Sequence, residues 1–532
     1  MSAEGPPRGA NYSPSGGSAA AKPQAWGSKH VNANLYTLFE DHFEARVSAP
    51  CVLIPKGRVV HYDELAALSA RIAHALVRVG CRQGDRVAAQ VDKHWHALAL
   101  YLACLRAGLV YLPLNVGYQK AELAYFFADA TPRVIVCRPE ALGLMATLAC
   151  TAVVLTLDSQ GGELLDRAAD APEIFDTVVS RPDDLAAIVY TSGTTGRSKG
   201  AMLSHRNLAA NALALVEHWG FTRGDVLLHA LPIYHVHGLF VATHCTLLSG
   251  CRMLWLAKFD AKETTSLLPS ATVMMGVPTY YTRLLAEPSL TREASRSIRL
   301  FVSGSAPLLP ETFDAFRART GHAILERYGM TETGMITSNP LEGPRVAGTV
   351  GKPLSGEAVR VVDATGAPCP PGTIGHIEVK GPNVFSGYWR MPDKTREEFS
   401  ADGYFKTGDM GEWVASDEGY GYLRLVGRAK DLIITGGLNV YPLEVEERID
   451  SMDGVVESAV IGLPDHDLGE AVAAVVVPAP GHALTERAII GALRDEIATF
   501  KVPKRVFFAD DLPRNAMGKV QKNVLRSKYS TL

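Results

Sequence analysis

The residues with the clearest chemistry lie in Leu185–Ala201, LAAIVYTSGTTGRSKGA. An apolar run suited to a buried strand leads into a loop holding Gly193, Gly196 and Gly200, the hydroxyls of Thr191, Ser192, Thr194 and Thr195, and the cations Arg197 and Lys199. Glycines let backbone N–H groups close around phosphate oxygens, and hydroxyls and an ammonium add further donors. The segment is not a Walker A loop, because Lys199 is followed by Gly200 rather than by Ser or Thr. Further along, His235 and His237 stand two apart in LPIYHVHGL. By chemistry alone His235 is as readily a satisfied structural histidine as a site group, and His237 reads as structural. Arg514, Lys519, Lys522, Arg526 and Lys528 near the C-terminus read by themselves as a solvated basic face.

Alternating helices and strands must position these groups. From Asn32 onward the pattern is globular: 61–76 has apolar residues at helical spacing with Asp63 as N-cap, Arg86–Gln90 reads as a strand, and 95–107 as a helix. Short apolar strands such as 134–137 and 153–157 alternate with helical stretches, which implies layered α/β units with mostly parallel, buried sheets. Residues 348–427 are dense in Gly and Pro with short β-type runs, and suggest a small twisted sheet or barrel. From 428 to 532 the pattern becomes a compact α+β unit, with helices at 444–449 and 487–500. The fold class is therefore α/β: a large N-terminal domain (32–427) whose last part is β-rich, then a small α+β C-terminal domain (428–532).

The chain has 532 residues, room for about three or four folding units. With 47% hydrophobic and 20% charged residues it can bury a large core. A net charge of −3 excludes a dedicated coat for nucleic acid. The eight cysteines form no CxxC and no zinc spacing, so they read as small buried hydrophobes in a reducing compartment. No apolar run approaches the ~20 residues that cross a bilayer. Residues 1–31 lack a signal-peptide core and read as a disordered extension. These features point to a cytoplasmic protein with no membrane or nucleic-acid partner, and leave monomer and homodimer both open.

The phosphate loop resembles that of the adenylate-forming superfamily of acyl-CoA synthetases, adenylation domains and luciferases. Six more segments resemble its signatures in order: 231–239, the acyl-pocket histidine; SGSAP at 303–307, the adenine turn; ERYGMTET at 326–333; YFKTGD at 404–409; GRAKDLIITGG at 427–437, the hinge; and PRNAMGK at 513–519. The resemblance implies ATP and coenzyme A as co-substrates and Mg2+ as cofactor. A carboxylate attacks the α-phosphate of ATP to form an acyl-adenylate, and the thiol then displaces AMP. It further implies that Thr191, Ser192, Gly193, Thr194, Thr195 and Lys199 hold the β- and γ-phosphates, and that Glu332 with Thr191 holds the metal. Thr331 would contact the α-phosphate, Tyr328, Gly304, Ser305 and Ala306 would line the adenine, and Asp409 with Arg428 would bind the ribose. Lys519 would carry adenylation, because an ammonium neutralises charge developing at the α-phosphate. His235 would stand between acyl pocket and thiol channel. Lys430 occupies the pivot, where many members have Asp, and Gly436 and Gly437 would leave space for the pantetheine arm or merely form a turn.

By the same resemblance, Arg283 in VPTYYTRLL stands beside the acyl-pocket wall. A buried cation needs an anion, and a guanidinium suits bidentate carboxylate binding, whereas composition alone favours a helix-surface arginine. Four segments (230–242, 275–285, 381–392 and 511–526) closely resemble the malonate-activating members of the family. Malonate held by Arg283, Ser305 and Met335 is the expected acid. Methylmalonate fits if the pocket tolerates one methyl, a discrimination of only ~1–3 kcal/mol. The alternatives are a short-chain or aryl acid–CoA ligase, and an adenylation enzyme loading a separate carrier protein.

Overall fold

A computed structural model describes residues 32–191, 198–416, 419–436, 438–515 and 518–530. The extension at 1–31, Ser192, Gly193, Thr194, Thr195 and Gly437 lie outside them. The fold is mixed α/β, with two large sheets, a four-stranded antiparallel sheet and a separate C-terminal sheet.

The six-stranded sheet runs Val153–Thr156, Val134–Cys137, Arg86–Gln90, Val110–Pro113, Leu185–Thr191, Lys199–Ser204 in spatial order. It is parallel except for the last pair. The second large sheet has nine strands and is parallel from Pro50–Leu53 through Arg252–Trp255, Val226–His229, Val273–Gly276 and Leu300–Ser303 to Leu325–Met330. One buried core spans both sheets through the helices Tyr62–Arg78, Trp95–Arg106 and His205–His218. Every residue of Trp95–Arg106 is buried, as expected of a helix sandwiched on all sides. Asp225, just before a strand of the nine-stranded sheet, accepts from Arg299 Nε and Nη2 at 2.8 and 2.9 Å and from Thr272 Oγ1 at 2.7 Å. Thr272 and Arg299 immediately precede Val273–Gly276 and Leu300–Ser303, so one carboxylate ties three strand beginnings together.

The Gly- and Pro-rich zone forms the antiparallel sheet Ala358–Val362, Gly375–Lys380, Phe405–Ser416, Gly419–Arg428. Its last strand turns through the 3-10 segment Ala429–Asp431 into the C-terminal sheet. There, alternation in Val455–Asp465 and Gly469–Pro478 divides the side chains between two faces. Val460, Val472, Ala474 and Val476 pack on helices Pro442–Asp450 and Glu486–Glu496; Ala459, Ile461, Ala473 and Val475 pack on helix Lys522–Tyr529.

Two local expectations are corrected. The helix from Tyr62 is capped by His61, whose N–H is met by Glu64 at 2.9 Å, while Asp63 lies in the first turn. The helix expected over 487–500 ends at Glu496, where Ile497 turns extended (φ −129°, ψ 160°). Six of the eight cysteines are buried; Cys150 is exposed and Cys369 half-buried. No helix among the described residues is long and apolar enough to cross a membrane.

Candidate active site

A cavity of about 350 Å³ opens where the ends of the large-sheet strands meet the antiparallel sheet and the C-terminal unit. Strands Leu185–Thr191 and Lys199–Ser204 pair so that Thr191 lies opposite Lys199, which places both flanks of the phosphate loop on the cavity wall. Lys199 Nζ pairs with Glu398 at 3.3 Å and lies 4.1 Å from the centre of the Tyr388 ring. Tyr388 OH in turn donates to Glu332 Oε1 at 3.0 Å, with Thr191 Oγ1 at 3.5 Å from the same oxygen. Glu332 is only 5% exposed, and burial holds its carboxyl above the usual range despite the Tyr388 hydrogen bond and the Arg428 and Lys199 charges. Among the described residues no three Asp, Glu, His or Cys side chains cluster as a metal cage. A single carboxylate beside a hydroxyl nevertheless fits a magnesium ion that takes its remaining ligands from phosphate and water.

Asp409 and Arg428 face each other across neighbouring strands, and that register joins Arg428 Nε to Asp409 Oδ1 at 2.6 Å. Tyr328 OH donates to Asp409 Oδ2 at 2.5 Å. Each carboxylate oxygen retains a lone pair for a ligand hydroxyl. Thr331, Ser305 and Met335 line the cavity; Tyr328, Gly304, Ala306 and Asp409 adjoin residues that do. Ser305 adopts a left-handed backbone (φ 73°), and its Oγ lies 3.3 Å from His237 Nδ1. His237 begins a π-helical stretch, His237–Thr243, a geometry that recurs at functional sites, and His235 stands two residues before it. Gly238 is obligatory there, because a Cβ would fall 2.0 Å from the carbonyl oxygen of Pro232. Burial, reinforced by the Arg327 charge, pushes His235 down to about 4 and His237 well below its ordinary value, so both imidazoles are neutral at pH 7.

Lys519 enters from the C-terminal unit on a loop closed by Asn515, whose side chain accepts from the Lys519 N–H at 3.0 Å and whose N–H donates to the Lys519 carbonyl at 2.9 Å. Arg514 braces the loop by pairing with Glu457 and donating to the Gly518 carbonyl at 2.6 Å. Desolvation, followed by the Arg428 charge, pushes the Lys519 ammonium down to about 8. Its side chain still meets solvent in the cavity mouth, so screening weakens that effect. Lys430 lines the same cavity, next to Asp431, which Arg526 holds at 2.8 Å. Gly436 lies outside the cavity wall, in a left-handed turn (φ 57°) where its N–H donates to the Leu468 carbonyl.

Arg283 is a correction. It is exposed on helix Pro278–Ala286 and does not line the cavity. Tyr281 and Leu284 point into the core, and a residue two places after Tyr281 is rotated about 200° around the helix axis. Arg327, in the middle of strand Leu325–Met330, does line the cavity, near His235 and His237. A charged side chain inside an otherwise buried strand was the available signal. Tyr388, Glu398 and Asn515, also on the wall, carry no sequence signal beyond their neighbours.

Phosphate-loop flanks, a buried carboxylate, a carboxylate–arginine pair and an incoming lysine around one cavity define a nucleotide-dependent activating enzyme. The sequence agrees: residues 39–389 match the AMP-binding enzyme family and 444–519 the AMP-binding enzyme C-terminal domain, and the chain belongs to that family of AMP-forming ligases. It is similar to ATP-bound MatB from Rhodopseudomonas palustris, with 55% identity over 94% of this chain and 99% of that one and a TM-score of 0.90. A mitochondrial malonate–CoA ligase of Mus musculus is 35% identical, covering 87% of this chain and 86% of its own. A feruloyl-CoA synthase of an Amycolatopsis species is 37% identical, covering 89% and 94%.

Proposed function

We propose that the protein is a malonyl-CoA synthetase that joins malonate to coenzyme A through malonyl-adenylate, releasing AMP and pyrophosphate. The carrying observation is that Lys519 shares one cavity with Lys199, Thr331 and Glu332, although it is contributed by a different sheet unit. The chemistry asks for charge neutralisation rather than a protein nucleophile. Lys199 and the adjoining loop receive the β- and γ-phosphates, and Thr331 donates toward the α-phosphate. Asp409, held by Arg428 and Tyr328, accepts from the ribose hydroxyls. Lys519 stands at the attacking carboxylate and the α-phosphate, where its ammonium offsets the charge that builds as the new C–O–P bond forms. Glu332 and Thr191 would hold Mg2+, which supplies Lewis-acid neutralisation of the phosphates. Neutral His235 adds no charge between acid and thiol, and suits a wall between them. A malonate–CoA ligase in the mouse and the similarity to MatB support malonate as the acid, while the feruloyl-CoA synthase relative supports an aryl acid as the second reading.

The test is a panel of carboxylic acids with ATP, Mg2+ and coenzyme A, read as AMP and thioester formed. Malonate should exceed acetate, propionate and ferulate in kcat/KM. Ferulate or a monoacid ahead of malonate would refute the assignment. Transfer to a carrier protein in preference to free coenzyme A would instead identify a loading enzyme.

A further inference from the structure

Asn383 is 1% exposed, and its amide nitrogen donates to the carbonyls of Thr333 and Met335 at 2.7 and 3.4 Å. Those two acceptors fix which way the amide points: Nδ2 faces the Thr333–Met335 backbone, and Oδ1 faces away from it. On that other side Oδ1 meets Glu357. A Cβ on Gly381 would fall 2.4 Å from Glu357 Oε2 and 2.5 Å from Asn383 Oδ1, so the two oxygens flank one glycine, whose missing side chain leaves room for them. Both oxygens are buried, and neither has a hydrogen-bond partner among the described residues. Two unprotonated acceptors facing each other in a buried place repel, and each also forgoes the bond that water would give it. One proton removes both penalties, and of the two groups only the carboxyl can carry it.

We infer that Glu357 is held as a neutral carboxylic acid whose Oε2–H donates to Asn383 Oδ1, and that it is thereby a positioning residue for the Thr331–Met335 turn of the cavity. Thr331, Glu332 and Met335 of that turn all line the cavity. Asn383 holds it by two carbonyls, and the Phe385 N–H donates to the Glu332 carbonyl at 2.8 Å. Asn207 Nδ2 in turn holds the carbonyls of Pro382 and Val384, each at 2.8 Å. Glu357 is the outermost member of this chain, and its proton fixes the amide that grips the turn. Burial acts in the same direction, pushing the Glu357 carboxyl up to about 9. An amide N–H turned to the acid would oppose that rise, but Nδ2 is committed to the two carbonyls. No charged side chain of the described residues contributes to it. Lys380, opposite Ala358 on the adjacent strand, donates to the Asp402 carbonyl, and Arg360 pairs with Glu378 and Asp402. The inference rests on this cavity being the site of adenylation, and is independent of which acid is activated.

Glu357→Gln supplies a permanent N–H donor at the same reach, and Glu357→Met keeps the length without one. The infrared difference spectrum of wild type minus Glu357→Gln at pH 7 should contain the carbonyl stretch of a protonated carboxyl; carboxylate bands in its place overturn the inference. In the unfolded chain Glu357 releases its proton at about pH 4.3, whereas in the folded protein it keeps it up to about 9. The wild type therefore loses stability relative to Glu357→Gln as pH rises through that window. In urea titrations the ratio of their unfolding constants should grow at least about tenfold from pH 5 to pH 8, and a constant ratio overturns the inference. At pH 7, pyrophosphate exchange by Glu357→Gln should stay within about threefold of the wild type, while Glu357→Met falls about tenfold or more. Should Glu357→Met not fold, Glu357→Ala takes its place with the same expectation. Equal activity with and without the donor overturns the positioning role. A wild type that exchanges pyrophosphate with no carboxylic acid overturns the functional reading beneath it, whereas an active wild type whose variants are indifferent overturns the inference alone.

Discussion

Replacing Asp409 by Ala removes a carboxylate that is 7% exposed and serves two protein partners at once. Arg428 Nε at 2.6 Å loses its counter-ion and Tyr328 OH at 2.5 Å its acceptor. Breaking a buried pair by deleting one partner costs about 3–5 kcal/mol, and the lower end applies because the Arg428 side chain is 27% exposed and can recover water. A fall in melting temperature of several degrees follows. The nucleotide effect is separable. If both carboxylate oxygens also accept from ribose hydroxyls, two charge-assisted bonds at about 1.5 kcal/mol each are lost, or about 100-fold in ATP affinity. The assay is calorimetric titration of wild type and Asp409→Ala with ATP, 2′-deoxy-ATP and 3′-deoxy-ATP. The wild type should bind the deoxy nucleotides more weakly than ATP, and the variant should bind all three alike, because the lost contacts are the same ones. A variant that still discriminates against the deoxy analogues as sharply as the wild type would refute the reasoning, since its ribose contacts would then lie elsewhere.

Lys519→Ala should lower pyrophosphate exchange by about 100-fold or more while thioester formation from supplied malonyl-adenylate stays within a few fold; equal losses in both half-reactions would remove its assigned role. Its ammonium is active when protonated and is pushed down to about 8 by burial and by Arg428 and Lys430, with Asp409 and Asp431 opposing. The kcat/KM for adenylation should therefore fall as pH rises through about 8 or somewhat above, and Lys519→Arg should move that limb out of range. Asp225 is raised by burial but lowered further by its bonds from Arg299, Thr272 and the Thr222 N–H, for a net pKa below the ordinary value. Its contribution to stability is thus present above about pH 4 and lost as pH falls through the folded value. Asp225→Ala should destabilise by about 3 kcal/mol at pH 7 in denaturant titrations, with the gap to wild type closing in acid.

What could be read in the sequence is what is local. Strand Leu185–Thr191 and its loop carry their meaning in consecutive residues, and alternation in 469–478 gives both faces of the C-terminal sheet. Arg283 shows the limit. The resemblance of its segment to an acyl-pocket wall suggested a buried site, but the phase of its helix is set by Tyr281 and Leu284, which the core claims, and that leaves the guanidinium outside. The partnering of Asp409 with Arg428 depends on cross-strand register over a long hairpin, and Tyr328 joins them from a different sheet. Arg327 offered the sequence only a charge within a strand, and that its buried Nε and Nη2 lack a partner is a property of the assembled interior. Lys519 looks like any lysine of a basic tail until the Asn515 loop turns it into the cavity.

That placement has an electrostatic consequence. Lys519, Lys430 and Arg428 converge on one cavity, and each of the first two is lowered in part by the positive charge of its neighbours. Without a polyanion between them they repel, with Asp409 and Asp431 opposing. The C-terminal unit meanwhile has its own two-sided core, so it does not need the cavity to stay folded. In the proposed reaction the triphosphate of ATP would be the group that favours Lys519 in the cavity. Loss of pyrophosphate removes most of that negative charge as soon as the adenylate forms. On that reading the lysine would be held most firmly while its charge is useful and least firmly once the acid is activated, when the cavity must admit a thiol. A lysine on the same sheet as the phosphate loop could neutralise the transition state as well, but its position would not depend on which anions remain.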